Sequence, residues 1–249
     1  MKNLLLLAVL FLTAAHSVPS DAPAPAPESL HFDVLRVYPP IAPTRAELVS
    51  AQTLPDLNPH FKSEWIRSYI STSVSTLQNG KLKTDFGNSE LLTPKQKAAI
   101  LSADIGSEVR VSIKYIPENN LRHNEPKEMH FSFVQEPEHE AAFPGGKEKL
   151  LQYLKTNAID KIPDGTFEGY DLATIGFSIN ERGMVTDVQA HVPFKNPQID
   201  ELLIAAVGSM PKWKPGQYAN GKKVKQDFVF IVGNMRNCVL NTLNIRRDT

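Results

Sequence analysis

Apolar and polar residues alternate with the two-residue period of a strand in several separate runs. Between residues 30 and 37, Leu30, Phe32 and Val34 share one parity, which admits an early strand inside a Pro-rich segment. Ile66, Ile70 and Val74 fall on one face of a Ser/Thr-rich run, predicting a half-solvated strand that ends near Asn79 and Gly80. Thr93 followed by Pro94 reads as an N-cap and first helical position, with Ala98, Ala99, Ile100 and Leu101 carrying a helix toward Gly106. Val109, Val111, Ile113 and Tyr115 alternate with Arg110, Ser112 and Lys114, and Met129, Phe131 and Phe133 alternate with His130 and Ser132. The loop between these runs holds Pro117, Asn119, Asn120 and Asn124, so an antiparallel pair is expected.

A second series follows the polar joint Glu136, Pro137, Glu138, His139, Glu140. Gly146 reads as the N-cap of a helix with a stripe of Leu150, Leu151 and Leu154, ending before Pro163. Residues 174–179 and 184–192 read as strands around a turn at 180–183, and Ile199, Leu202, Leu203, Ala206 and Val207 recur at helical spacing after Asn196 and Pro197. The last run, through Phe228, Phe230 and Val232, closes the series as a strand. The expected fold class is α+β: two helices on one face of a three-stranded antiparallel sheet, preceded by a smaller α+β unit. Both units place a Pro-started helix between a glycine-turned β segment and a strand, so an internal duplication is a reading to test.

Five segments result: residues 1–17, a Pro-rich linker 18–62, an N-terminal unit 63–135, a C-terminal domain 136–240 and a polar tail 241–249. Lys2, the apolar run 4–12 and the small residues Ala14, Ala15 and Ser17 have the form of a cleaved secretory signal peptide. A membrane span needs about 20 apolar residues, more than this run supplies, so an uncleaved anchor is the alternative rather than the expectation. Nine of the 19 prolines precede residue 60. The Ala-Pro run 18–27 favours polyproline II and would reach about 30 Å at about 3.1 Å per residue.

Charge narrows the function classes. Lys and Arg total 27, as do Asp and Glu, so no global field draws the chain to nucleic acid or an anionic surface. Cys238 is the single cysteine, which excludes an intramolecular disulfide and fits export to a periplasm better than a disulfide-dense module. A metal or acid/base site at Glu136, Glu138, His139 and Glu140, with His130, is one reading, and a solvated joint is the other. No phosphate loop, dinucleotide fingerprint or nucleophile elbow occurs, no cofactor is called for, and no catalytic residue is assigned. Lys212, Lys214, Lys222, Lys223 and Lys225 read as a solvated turn.

The final run is the candidate site. If it were a sheet edge, Lys225, Asp227, Phe228, Val229, Phe230, Ile231 and Val232 would offer backbone groups and alternating apolar side chains to an extended peptide. On that premise Phe230→Pro would abolish capture of the peptide and spare the fold.

Phe143, Pro144, Gly145 and Gly146, with Gly183 and Asp187, Asp200 and Ala206, and Met210, Trp213, Pro215 and Gly216 ahead of residues 228–232, form a set. Across residues 141–233 this set resembles the TonB carboxy-terminal domain family. The resemblance implies a periplasmic domain whose last strand adds to an extended segment of an outer-membrane transporter or another envelope protein. It implies no enzymatic activity, and it leaves association with a second copy open. Full transducers of the family carry an inner-membrane helix and a long spacer, both shorter here, and their Tyr-Pro pair is replaced by Ile162 and Pro163. The expected function is therefore an exported protein that binds envelope partners by strand addition. A membrane-anchored energy transducer and an envelope metal-dependent enzyme are the alternatives.

Overall fold

In the computed structural model, which describes residues 30–119, 124–168 and 171–234, the alternating runs form two four-stranded antiparallel sheets. The elements in chain order are β1 (His31–Val37), α1 (Arg45–Ser50), α2 (Leu54–Leu57), β2 (Ile66–Gln78), β3 (Lys81–Gly87), α3 (Pro94–Leu101), β4 (Val109–Pro117) and β5 (Lys127–Phe133). They continue with α4 (Gly146–Asn157), β6 (Leu172–Ile179), β7 (Val185–Val192), α5 (Pro197–Gly208), the short β8 (Gly216–Gln217) and β9 (Lys223–Val224), and β10 (Gln226–Gly233). Residues 1–17, the first part of the linker, Cys238 and the polar tail lie outside the described residues.

The first sheet has the order β3-β2-β4-β5. Its hairpin turns on Asn79 and Gly80, both with left-handed backbone (φ 52° and 70°), the conformation an Asn-Gly two-residue turn supplies. Thr93 caps α3 in a reciprocal box with Gln96, whose backbone N–H it accepts at 3.2 Å. Ile70, expected on the buried face with Val74, is exposed instead. An irregularity in the β2–β4 ladder between Tyr69 and Ser71 shifts the parity there, so Tyr69 packs inward and Ile70 turns out. The strand β3 has no counterpart in the expected series. Its apolar residues Leu82 and Phe86 share the outward parity with Leu77, and all three are exposed.

The second sheet has the order β1-β10-β6-β7, four strands where three are expected. Phe228, Phe230 and Val232 of β10 lie opposite Phe177, Ile175 and Ala173 of β6, and these residues share one core with Leu150 and Leu154 of α4 and Ile199, Leu203 and Val207 of α5. The fourth strand comes from the segment expected to be linker. Thr44 and Thr53 cap α1 and α2 in the same segment, and Leu48, Leu54 and Leu57 pack into the core of the other sheet. Proline content misleads here because the described prolines sit between elements or, like Pro55, at a helix start.

The two sheets repeat one plan. A hairpin (β2–β3, β6–β7) leads to a Pro-started helix (α3, α5) and a returning strand (β4, β10) that pairs with the first strand of its hairpin. A fourth strand lies on the far side of the returning strand in each sheet. In the first sheet this is β5, the next strand in the chain. In the second it is β1, drawn from the opposite end of the described residues.

Candidate functional site

The motif residues converge on the entry to β10. Gly145 caps α4 with φ 85°, and Gly146 follows at φ 81°. Phe143 packs edge-on against Trp213, with ring centroids 5.5 Å apart at 88°. Trp213 also meets Phe228 at 5.3 Å and Phe177 at 6.0 Å, which ties the loop before β8 to both central strands. Gly183 adopts φ 79° and its carbonyl accepts from the Trp213 N–H at 2.8 Å; a Cβ there would lie 2.1 Å from the Trp213 carbonyl oxygen. Ala142 and Lys214 exchange two backbone hydrogen bonds of 2.9 Å, Pro215 is half-buried, and a Cβ on Gly216 would collide with the Gln226 side chain. Pro144 is exposed at the helix entrance. This group is a brace. It fixes where β10 begins.

The expected edge residues stand in a different place. β10 is hydrogen-bonded on both flanks, with β6 on one side and β1 on the other. Val229, Phe230 and Val232 are fully buried, Phe228 stacks on Phe177 at 5.6 Å, and Ile231 is half-buried. Asp227 accepts from the Ser178 hydroxyl at 2.6 Å. Lys225 is bonded to Asp187 at 2.7 Å; that bond holds the Asp187 carboxyl below its ordinary range and raises the lysine. Asp187 sits in a left-handed bulge of β7 (φ 55°). Of the other residues in the set, Asp200 accepts from the Phe194 N–H at 2.9 Å, and Ala206 and Met210 are core.

The strand beside β10 carries polar contacts the sequence reading had not joined to the site. Arg36 reaches Glu136 at 2.6 Å and Glu140 at 2.5 Å, with only 7% of its own side chain exposed. Its guanidinium lies 4.3 Å above the Tyr38 ring, and the Tyr38 hydroxyl donates to Glu140 at 2.7 Å. Burial, then that bond to a carboxylate, pushes the phenol up to about 12. At the other end, Lys147 of α4 pairs with Asp33 at 3.1 Å, and Asp33 also accepts the Val34 N–H at 2.7 Å.

Glu136 and Glu140 are thereby committed to Arg36, and Glu138 accepts from Gln135 and from the Ala219 N–H. His139 pairs through its backbone with Gln217. Among the described residues, no three His, Cys, Asp or Glu side chains converge on a point. The lysines disperse likewise: Lys222 donates to the Ile105 carbonyl at 2.5 Å, while Lys225 faces Asp187. The signal for the Arg36 contacts was present in the sequence as parity. Arg36 continues the Phe32, Val34 series, and Glu136 and Glu140 share a parity of their own.

A groove of about 880 Å³ runs along β1. It is lined by the strand itself, His31 to Arg36, and by Ala141, Ala142, Phe143, Lys147, Leu150 and Trp213. Among the described residues, no helix is long and apolar enough to cross a membrane. The chain matches no protein-family model, no curated protein and no solved structure.

Proposed function

We propose that this is an exported, TonB-like binding protein of the periplasm that captures extended segments of outer-membrane or other envelope partners by strand addition to its C-terminal sheet. The observation that carries the reading is the flank of β10: it accepts a seven-residue antiparallel strand from a distant part of the chain, in unbroken register from His31 opposite Gly233 to Val37 opposite Asp227. A surface that takes one extended segment through backbone hydrogen bonds and alternate side-chain seats has the chemistry to take another. The braced Trp213 and Gly183 support the same reading, because they anchor the entry of β10 through contacts that do not involve β1. In this reading the two helices and strands β6, β7 and β10 are the TonB-like element, and β1 is an addition to it.

The test is selection of a random library of extended ten-residue peptides on the purified chain, followed by hydrogen exchange of the complex. Enriched peptides are expected to change the exchange of backbone amides in β1 and β10. An unenriched library, or peptides that bind without touching the exchange of this sheet, would overturn the proposal.

A further inference from the structure

We infer that β1 is a resident stand-in for the partner's strand: it occupies the acceptor slot beside β10 until exchanged, and its contacts specify the incoming segment as apolar, acidic, apolar and, two residues later, basic. This rests on the strand-addition reading and adds to it the identity of the slot, its occupant and the chemistry of its ligand.

The internal repeat sets the comparison. In the first sheet the slot beside the returning strand is filled by β5, joined to that strand by one loop. In the second, the equivalent slot is filled by a strand from the far end of the described chain, held by its own following segment at one end. The slot is thus built by α4, β6, β7, α5 and β10, and β1 fills it from outside.

Burial separates occupant from receptor. Of the seven residues of β1 only Val34 is buried, whereas six of the eight in β10 are. With Phe32 packed against it only in part, β1 adds one buried apolar side chain to a core that the other strands share. Among the described residues no strand pairs with its outer flank, and the groove runs along it. On the receptor side of the groove, Trp213 holds its buried Nε1 without a hydrogen-bond partner, so polar capacity remains there for a ligand.

Replacement is favoured over a second addition. The outer edge of β1 is blunted where Asp33 takes the Val34 N–H and draws Lys147 over the strand, a placement of charge that discourages edge pairing. The receptor groups that β1 engages define what can take its place. Val232 and Phe230 seat apolar residues at the positions of Phe32 and Val34. Lys147 faces an acid at the position of Asp33 across an exposed pair, which steers more than it holds. Glu136 and Glu140 receive a cation at the position of Arg36, and Glu136, with 9% of its side chain exposed, makes this the selective contact.

The experiment uses the full chain with Cys238→Ser and a fluorescent peptide of residues 29–39, read by anisotropy. A tethered occupant lowers the apparent affinity in proportion to the fraction of time the slot stands open, so Arg36→Ala in the chain is expected to tighten peptide binding by about tenfold or more. A peptide with Arg36→Glu is expected to lose that binding. In a chain with Phe32→Cys and Val232→Cys, residues opposite one another in the ladder, the oxidised form is expected not to bind and the reduced form to bind. Where Arg36→Ala does not fold, Phe32→Ala serves as the loosened variant. Equal binding by the oxidised and reduced forms, or a folded loosened chain that gains nothing, would overturn the inference. Library peptides that bind the oxidised form leave strand addition standing at another edge, and failure of every peptide on every form removes both readings.

Discussion

Gly183 sits where no other residue fits. Its left-handed backbone alone costs an L side chain about 1–2 kcal/mol, and a Cβ there would lie 2.1 Å from the backbone carbonyl oxygen of Trp213. Gly183→Ala is expected to lower stability by about 2 kcal/mol or more, measured by urea unfolding, and to disturb Trp213 fluorescence in the native state. Asp104 fixes a turn in the other sheet. Its two carboxylate oxygens accept the Gly80 and Asn79 N–H groups, each at 2.8 Å, and those bonds, Gly80 first, hold its pKa below the ordinary aspartate value. A depressed folded pKa means the contribution is complete above the ordinary aspartate range and is lost as pH falls through the folded value. Amide protection in β3 is therefore expected to decline on acidification, and Asp104→Asn to remove that dependence. Protection in β3 that is indifferent to acid would show that the turn does not rely on the carboxylate.

At the scale of elements, the double pairing of β10 reverses the consequence of one substitution. Phe230 is fully buried between Val34 and Ile175, so Phe230→Pro removes a core ring worth about 3–5 kcal/mol and interrupts the ladder of a central strand. Loss of cooperative unfolding of the C-terminal core, followed by near-ultraviolet dichroism, is the expected outcome; retained native packing would contradict the placement of this strand. Periodicity and caps made much of the structure legible: Thr93 and Asn196 mark helix starts, and the runs at 109–115, 129–133 and 174–179 are strands. What escaped was non-local. The alternation of Leu30, Phe32 and Val34 signals a strand, but no local pattern says that its neighbour is β10. Nor does parity survive a bulge, which is how Ile70 came to face solvent. The hairpin partner β3 was hidden for another reason: Leu82 and Phe86 alternate on the face away from the core, so its pattern does not mark a buried side. Of the candidate site, the motif residues around Trp213 and the apolar alternation of β10 could be read, whereas the pairing with β1 that covers them could not.

For the whole molecule, the chain enters the second core with β1, leaves it to build the first core between Leu48 and Phe133, and returns at Ala141. The first core is thus an insertion within the second. Between them, Tyr218 donates to the Gln135 carbonyl at 3.0 Å, Lys222 to the Ile105 carbonyl, and the Glu136 N–H to the Pro43 carbonyl at 2.9 Å. Tyr218→Phe with Lys222→Ala removes two of these bonds, about 2 kcal/mol in total. Calorimetry is expected to resolve separate transitions for the two cores in that variant, and a single transition would show that the β1 crossing suffices to couple them. The same crossing has a kinetic side. Pairing β1 with β10 closes the longest loop in the described fold, and contacts so distant in sequence form slowly. A ribosome makes β1 early and its neighbour late, so while the chain is being made, β1 waits as an unpaired strand.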